Sequence, residues 1–186
     1  MSLFFNLPHL CGLGGDAIII KKNKGEISII NGTGKTGTYQ NRISYEEKGL
    51  STIPKRGIYC TMVYGAPYAF ETLVKEADVD LVRMIETLIK NDFDKGFINI
   101  PCFEFLFKKA KLEFSQATKL KEWGELFYGG KHVNNSFINM MKRVSQVGFN
   151  DFYKGRLANE VYNQIDRYDN RLYSESDFTH FSPKLQ

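Results

Sequence analysis

The sequence has few cysteines and no long hydrophobic segment. Its 186 residues include only Cys11, Cys60 and Cys102, at wide and irregular spacing, so neither a disulfide framework nor a zinc cluster is predicted. The longest apolar run, Ala17–Ile20, is far shorter than the roughly 20 residues that span a bilayer. The first residues also lack the basic region that opens a secretory signal. These absences predict a cytoplasmic protein with no membrane partner.

An excess of charge of one sign is also missing. The 25 Lys and Arg residues stand against 21 Asp and Glu, and the net charge of +4 is scattered along the chain. Because a nucleic-acid surface needs a concentrated basic patch, no nucleic-acid partner is predicted. A hydrophobic content of 42% excludes a disordered or low-complexity chain. No repeat or proline-rich linker divides the sequence, so residues 1–186 are predicted to form a single unit.

The first part of the chain has the pattern of strands and loops. Ala17–Ile20 and Ile27–Ile30 are β-branched runs, and between them Asn23-Lys-Gly-Glu26 places Gly25 where a turn needs a positive φ. This pattern predicts a β-hairpin. The segment 32–56 has little periodicity and is predicted to be loop, and Ile58–Val63 is predicted to be a further strand. Residues 1–66 are therefore expected to be mainly strands and loops.

Beyond residue 66 the apolar side chains recur at spacings of three and four, which is typical of amphipathic helices. Ser174 and Asp177 are predicted to cap one short further turn. A strand pair followed by helices predicts the α+β class, with residues 67–186 mainly helical. The apolar stripes are Phe70, Leu73 and Val74; Leu81, Met84, Ile85 and Leu88; Phe103, Leu106, Phe107 and Ala110; Phe137, Met140, Met141, Val144 and Val147; and Leu157, Val161, Ile165 and Tyr168.

Two glycine-rich segments resemble nucleotide-binding motifs only in part. Gly12–Ala17 fits the letters of a dinucleotide fingerprint, but a β-branched run follows it where a helix should begin. Gly34-Lys35-Thr36 ends like a P-loop, yet the first glycine of that motif would fall on Ile29. Tight turns between strands are the favoured interpretation, and no cofactor is predicted.

Several motifs, in order along the chain, resemble the gamma-glutamyltransferase (gamma-glutamyltranspeptidase) family. In that family a proline, a histidine and a G-I/L-G-G turn lead into two strands, as Pro8–Asp16 and the runs that end in Asn31-Gly-Thr-Gly-Lys35 do here. The other matches are Glu47–Leu50, Pro54–Gly57 and Val63–Ala66 for V-P-G-A-V-x-G-W, Asp151–Glu160 for D-x-F-Y-x-G-x-I-A-x-x-I, and Leu172–Phe181 for G-L-L-T-x-E-D-L-A-x-Y.

The resemblance implies part of the four-layer αββα fold of the N-terminal nucleophile hydrolases. In this family a precursor cleaves itself, and the new N-terminal threonine of the small subunit is the nucleophile, with its own α-amine as base. The matched stretch corresponds to the middle of the large subunit and does not include that threonine. We therefore expect a large-subunit fragment that has no catalytic residue, metal or cofactor and is inactive alone. The expected partner is a small-subunit-like polypeptide with the threonine, or a second copy of the chain.

Thr33 and Lys35 are the candidate substrate-binding residues. Members of the family with an Asp-Phe-Arg-Glu sequence use its arginine to hold the α-carboxylate of the γ-glutamyl group, a charge-assisted contact. Aligning Asn31 with the aspartate places Thr33 at the arginine position, and a hydroxyl supplies neither the charge nor the fork of a guanidinium. Lys35 lies where other members, with Asn-Gly-Ser-Gly-Arg, carry arginine. This departure implies a γ-glutamyl or a related acyl substrate.

Three hypotheses remain open at this point. The first is an enzyme part that transfers or hydrolyses amide-linked acyl groups once it is complemented. The second is a non-catalytic remnant or interaction protein that needs a partner to cover its exposed faces. The third, a nucleotide-binding domain that uses Gly34-Lys35-Thr36, lacks the strand and helix that the motif requires.

Overall fold

The computed structural model describes residues 11–55, 57–93, 108 and 135–181. The chain divides into two compact units. One unit comprises Leu13–Asp78 and Val147–Gln186, and the other comprises Met1–Gly12 and Val79–Gln146. Pro8 of the first family motif and the stripe Phe103–Ala110 lie outside the described residues, apart from Lys108. No helix in the described ranges is long and apolar enough to cross a membrane.

The predicted hairpin is confirmed. Strand β1 (Ala17–Asn23) pairs antiparallel with β2 (Glu26–Gly32). Lys24 and Gly25 connect the strands, with φ of 49° and 94°. Two consecutive residues with positive φ form the type I′ turn, whose twist matches that of the flanking strands. The register brings four exposed isoleucines to one face of the hairpin, the isoleucine face: Ile18, Ile20, Ile27 and Ile29.

The opposite face of the hairpin is covered by helix α2. The chain first forms the short helix α1 (Arg42–Glu47) and then α2 (Ala66–Glu76), which packs against both strands. Ile30 of β2 and Ala69 of α2 are both buried. Pro67 stands in the first turn of α2, where a missing backbone N–H costs no hydrogen bond. Lys21 of β1 and Glu76 at the end of α2 form an ion pair.

Two predictions about the segment before α2 are wrong. The supposed loop 32–56 contains α1, because Asn41 and Ser44 cap its first turn reciprocally: Asn41 Oδ1 accepts from Ser44 N at 3.1 Å, and Ser44 Oγ accepts from Asn41 N at 3.2 Å. The supposed strand at Ile58–Val63 begins instead as a 3₁₀ turn, Ile58–Cys60. The Thr61 hydroxyl closes this turn by donating to the Ile58 carbonyl, and only Val63 makes a bridge, with Lys35.

Of the predictions near the C-terminus, the helix with Leu157, Val161 and Ile165 and the capped turn after Ser174 are confirmed, although Tyr168 lies beyond the end of that helix. The chain forms α5 (Asp151–Lys154), which the apolar spacing does not predict, and then α6 (Arg156–Asp166) and α7 (Glu175–Thr179). Asp151 bridges the first two, since its carboxylate accepts the N–H groups of Arg156 and Leu157 at 3.2 Å each. Tyr64 packs against the buried rings of these helices and forms an aromatic core with them: Phe152, Tyr153 and Phe178, the last of which also contacts Tyr173.

The other unit contains α3 (Leu81–Leu88), a π-helical turn (Ile89–Phe93) and most of α4 (Asn135–Val147). Asp80 caps α3 by accepting from Arg83 N at 3.0 Å. Both predicted helices are confirmed, and Ile85, Met141 and Val144 of their predicted stripes are buried. The stripe of α4 differs in part, since Ile138, which lies three residues before Met141, is buried, whereas Val147 is exposed. Gly148 follows α4 with a φ of 83°, as expected for the residue that ends a helix.

Candidate functional site

The loop after β2, residues 31–38, carries both candidate substrate-binding residues. Thr33 is exposed. Its hydroxyl donates to Asn31 Oδ1 at 2.6 Å, and its backbone N–H donates to the same oxygen at 3.0 Å. Asn31 therefore shapes the loop and orients the Thr33 hydroxyl. The oxygen lone pairs of that hydroxyl point away from its donated proton and can still accept a hydrogen bond from a ligand.

Lys35 is held at its backbone and half-exposed at its side chain. Its N–H donates to the Val63 carbonyl at 3.1 Å, and its carbonyl accepts from Val63 N at 2.8 Å. Its ammonium lies 3.8 Å from Asp177 Oδ1, and 45% of its side chain is exposed. A single contact at this distance leaves further donor capacity on an ammonium. Lys35 is therefore fixed at its base and can still contact a ligand.

Asp177 is the buried anion beneath this loop, with 5% of the residue exposed. Its carboxylate accepts from Thr38 N and Thr38 Oγ1, both at 2.8 Å, and from Ser174 N at 2.9 Å. Burial by itself raises the pKa of Asp177, but these hydrogen bonds outweigh it and hold the pKa below its usual value. Asp177 therefore stays ionised and fixes the loop to the start of α7.

Gly34 lies in close contact with Asp16 and Val63. Its N–H donates to Asp16 Oδ1 at 2.8 Å, and a Cβ at this position would lie 3.0 Å from the same oxygen and would collide with the Val63 carbonyl. A side chain thus has no room here. This lack of space explains why a glycine lies between Thr33 and Lys35. A phosphate ligand is not needed to account for it. The strand that follows Gly12–Asp16 likewise provides no helix N-terminus for a pyrophosphate.

The sequence predicted the loop but not the two aspartates, Asp16 and Asp177, that accept its backbone hydrogen bonds. Thr33 and Lys35 lie on one short loop, as their spacing requires, and their substrate role stays a prediction. Asp16 was considered only as part of a glycine turn, and Asp177 only as a helix cap. The capping role is confirmed by the bond to Ser174 N. The contact with Thr38 spans 139 residues of sequence, and no local pattern reports such a pairing.

The chemistry that this loop offers is hydrogen bonding and one mobile positive charge. The two candidate residues contribute the Thr33 hydroxyl and the Lys35 ammonium. In the part of the chain that the structure describes, no group of three or more His, Cys, Asp or Glu side chains is placed to hold a metal ion. The loop therefore presents groups that suit a polar or anionic organic ligand.

Residues 3–186 match the gamma-glutamyltranspeptidase family, and the chain belongs to it. The match covers nearly the whole chain, including the hairpin, the loop and all the described helices. The resemblance inferred from the motifs is therefore confirmed.

Relatives of known structure share the fold over the length of this chain. The gamma-glutamyltranspeptidase from Pseudomonas nitroreducens, complexed with L-DON, superposes with a TM-score of 0.83 at 16% identity, over 100% of this chain and 56% of its own. The cephalosporin acylase from Bacillus halodurans superposes with a TM-score of 0.88 at 20% identity, over 99% of this chain and 36% of its own. The α+β class is confirmed by these similarities and by the hairpin with its helices.

A curated relative gives the same assignment at the level of sequence. The glutathione hydrolase-like YwrD proenzyme of Bacillus subtilis (strain 168) is 23% identical over 170 residues, which are 85% of this chain and 31% of the relative. The chain therefore spans less than a third of this curated relative and about half or less of the two solved structures.

Proposed function

We propose that the chain is a large-subunit part of an N-terminal nucleophile enzyme that hydrolyses or transfers amide-linked acyl groups. In this proposal the hairpin belongs to one sheet of the four-layer αββα fold, and the nucleophilic threonine lies on a small-subunit-like polypeptide outside these 186 residues. The chain alone is then inactive. Membership of the family and the shared fold support the proposal.

One observation carries it: the isoleucine face of the hairpin is exposed while the opposite face is packed. Ile18 and Ile20 of β1 and Ile27 and Ile29 of β2 all present large apolar side chains to solvent. Burying such side chains is worth about 1.5–3 kcal/mol each. A two-stranded sheet with a second apolar face requires a further layer. A polypeptide that adds this layer would complete the sandwich and bring its threonine to the edge of the hairpin.

The loop after β2 provides the substrate side of this proposed site. Lys35 is the cation that would attract a carboxylate of a γ-glutamyl or related acyl group, and the Thr33 hydroxyl would accept a hydrogen bond from an N–H group of the same ligand. A flexible ammonium binds such a group as a point charge, so its hold is weaker than that of a bidentate guanidinium. The proposed substrates therefore include acyl groups related to γ-glutamyl as well as the γ-glutamyl group itself.

Co-expression with a polypeptide that begins at the proposed threonine tests this function. We expect the complex to release p-nitroaniline from γ-glutamyl- or glutaryl-p-nitroanilide, and the chain alone to release none. In the active complex, Lys35→Ala should raise KM for these carboxylated donors about tenfold or more and leave kcat nearly unchanged, because it removes a charge-assisted contact.

Lys55→Ala is the matched control, since Lys55 is an exposed lysine of the same unit outside the loop. It should change neither constant. A complex whose partner carries Thr→Ala should be inactive. No release from any acyl donor by the assembled complex would overturn the proposed function, and equal KM values for the two lysine variants would remove Lys35 from the substrate site.

The isoleucine face also favours a second candidate, a non-catalytic protein that works by association with itself. Sedimentation velocity should then give a concentration-dependent dimer, with Ile20→Ser raising the dissociation constant about tenfold through the loss of buried apolar area. Ile43→Ser is the control, because Ile43 is equally exposed on α1, away from the hairpin. A monomer at all concentrations would contradict this candidate.

A further inference from the structure

A pocket of about 500 Å³ lies between one segment, 36–46, and a second one that lines it with residues 50–53 and 59–62. This volume falls within the range of roughly 300–1,000 Å³ of small-molecule sites. Its apolar walls are Tyr45, Leu50, Ile53, Tyr59 and Met62.

Hydrogen bonds fix the two segments that form the pocket. Gln40 Nε2 donates to the Thr61 carbonyl at 2.9 Å, and the Tyr45 hydroxyl donates to the Tyr59 carbonyl at 2.5 Å. The rings of Tyr45 and Tyr59 meet edge to face, with centroids 6.1 Å apart. The pocket is therefore formed before any ligand arrives, which lowers the entropic cost of binding.

The lining carries no net charge and has an apolar rim. Its two charged residues, Arg42 and Glu46, are paired with each other at 2.7 Å. Ile53 is 69% exposed and Met62 is 38% exposed at the rim. A charged ligand would find no unpaired counter-charge among these lining residues. An uncharged hydrocarbon group would remove the exposed apolar side chains from water, at about 25 cal/mol per Å².

The pocket adjoins the candidate loop. Thr36 lines it directly after Lys35, and Met62 lines it directly before Val63. The two backbone hydrogen bonds between Lys35 and Val63 hold these walls together. We propose that this pocket binds an uncharged alkyl or aryl group of the amide substrate. This group would lie next to the carboxylate of the same substrate that Lys35 is proposed to bind. The inference rests on the proposed function and adds a class of substrate to it.

Methyl NMR of the full chain, with labelled isoleucine and methionine, tests the pocket without any catalysis. Two neutral probes separate the two possible sources of the apolar group: hexanamide represents the acyl side, and acetanilide represents the amine side. We expect saturable shifts of the Ile53 and Met62 methyl signals with at least one probe, and the tighter probe identifies the side. The Ile43 methyl, equally exposed at 69% but outside the lining, should not shift.

Acetamide, which has the same amide but lacks the longer hydrocarbon chain of hexanamide, should bind about tenfold or more weakly, because it removes less apolar area from water. Ile53→Asp should abolish hexanamide binding, and Ile43→Asp should leave it unchanged. Absence of saturable shifts with both probes, equal effects of the two variants, or equal affinity for acetamide and hexanamide would overturn the proposal. Binding without activity in the assembled complex would overturn the proposed function only, and activity without binding would overturn the pocket only.

Discussion

Tyr64→Ala is expected to lower the free energy of unfolding by about 4 kcal/mol, a loss typical of the truncation of a large buried aromatic side chain. Tyr64 is buried, and its ring centroid lies 5.7 Å from those of Phe152, Tyr153 and Phe178. Its hydroxyl donates to the Phe152 carbonyl at 2.8 Å. Truncation removes the ring from the centre of the aromatic core and also leaves this carbonyl without its donor. Urea unfolding followed by circular dichroism measures the loss.

Tyr64→Phe separates the two contributions. It keeps the ring and removes only the hydrogen bond to the Phe152 carbonyl, so it should cost about 1–2 kcal/mol. Tyr39→Ala, which truncates a half-exposed tyrosine of the same unit, should cost within about 0.5 kcal/mol. Equal losses for Tyr64→Ala and Tyr64→Phe would mean that ring packing contributes nothing, contrary to the expectation.

Alkaline pH gives a second measurement on the same residue. Burial raises the pKa of Tyr64 above the value of 10.0 of a free tyrosine, and the neighbouring Tyr153 adds to the shift. The folded state therefore keeps a proton that the unfolded chain loses above pH 10. The stability that Tyr64 provides is complete below pH 10 and falls above it, by about 1.4 kcal/mol per pH unit. Tyr64→Phe should show a shallower alkaline decline.

The hairpin and the longer helices could be predicted because their signals are local. The β-branched runs Ala17–Ile20 and Ile27–Ile30, with Gly25 between them, predicted β1, β2 and the turn, and the structure adds their register. The apolar residues of α3 and α4 likewise recur at helical spacing, which places them on one face of each helix. Each of these patterns lies within one short stretch of sequence, so the elements could be predicted without knowledge of tertiary contacts.

The segment between β2 and α2 could not be predicted because its conformation depends on single residues and distant partners. The six residues of α1 are too few for an apolar stripe, and Asn41 and Ser44 form a cap that has no glutamate at the third position. The β-branched character of Ile58–Val63 favoured a strand, but Gly57 enters with a φ of 95° and turns the chain into a 3₁₀ turn.

The prediction of a four-layer architecture and the prediction of a substrate role for the loop both came from the resemblance to a family, since no local pattern in this sequence indicates either. Thr33 and Lys35 were found by aligning motifs. Their supports, Asp16 at Gly34 N and Asp177 at Thr38, are polar pairs that only the folded backbone brings together. A candidate site can thus be located from a motif, whereas its rigidity depends on residues that the motif does not contain.

Asp177→Ala should have the largest effect of any single change around the candidate loop, with a loss of about 3 kcal/mol in the free energy of unfolding. The carboxylate is the acceptor for the N–H and hydroxyl of Thr38 and for the N–H of Ser174. Removing one partner of a buried, charge-assisted network leaves the others desolvated and unsatisfied, which costs about 1–3 kcal/mol per group before relaxation. Urea unfolding measures the total.

Glu175→Ala is the matched control, because Glu175 is an exposed carboxylate in the first turn of the same helix, α7. It should cost about 0.3–1 kcal/mol through the helix dipole alone. Amide hydrogen exchange then separates a local from a global role: in Asp177→Ala the Thr38 and Ser174 amides should exchange much faster than those of β1 and β2, whose hydrogen bonds do not involve this carboxylate. If Asp177→Ala costs no more than Glu175→Ala, or if the strand amides accelerate equally, Asp177 does not fix the loop, and Lys35 must owe its position to the bridge with Val63 alone.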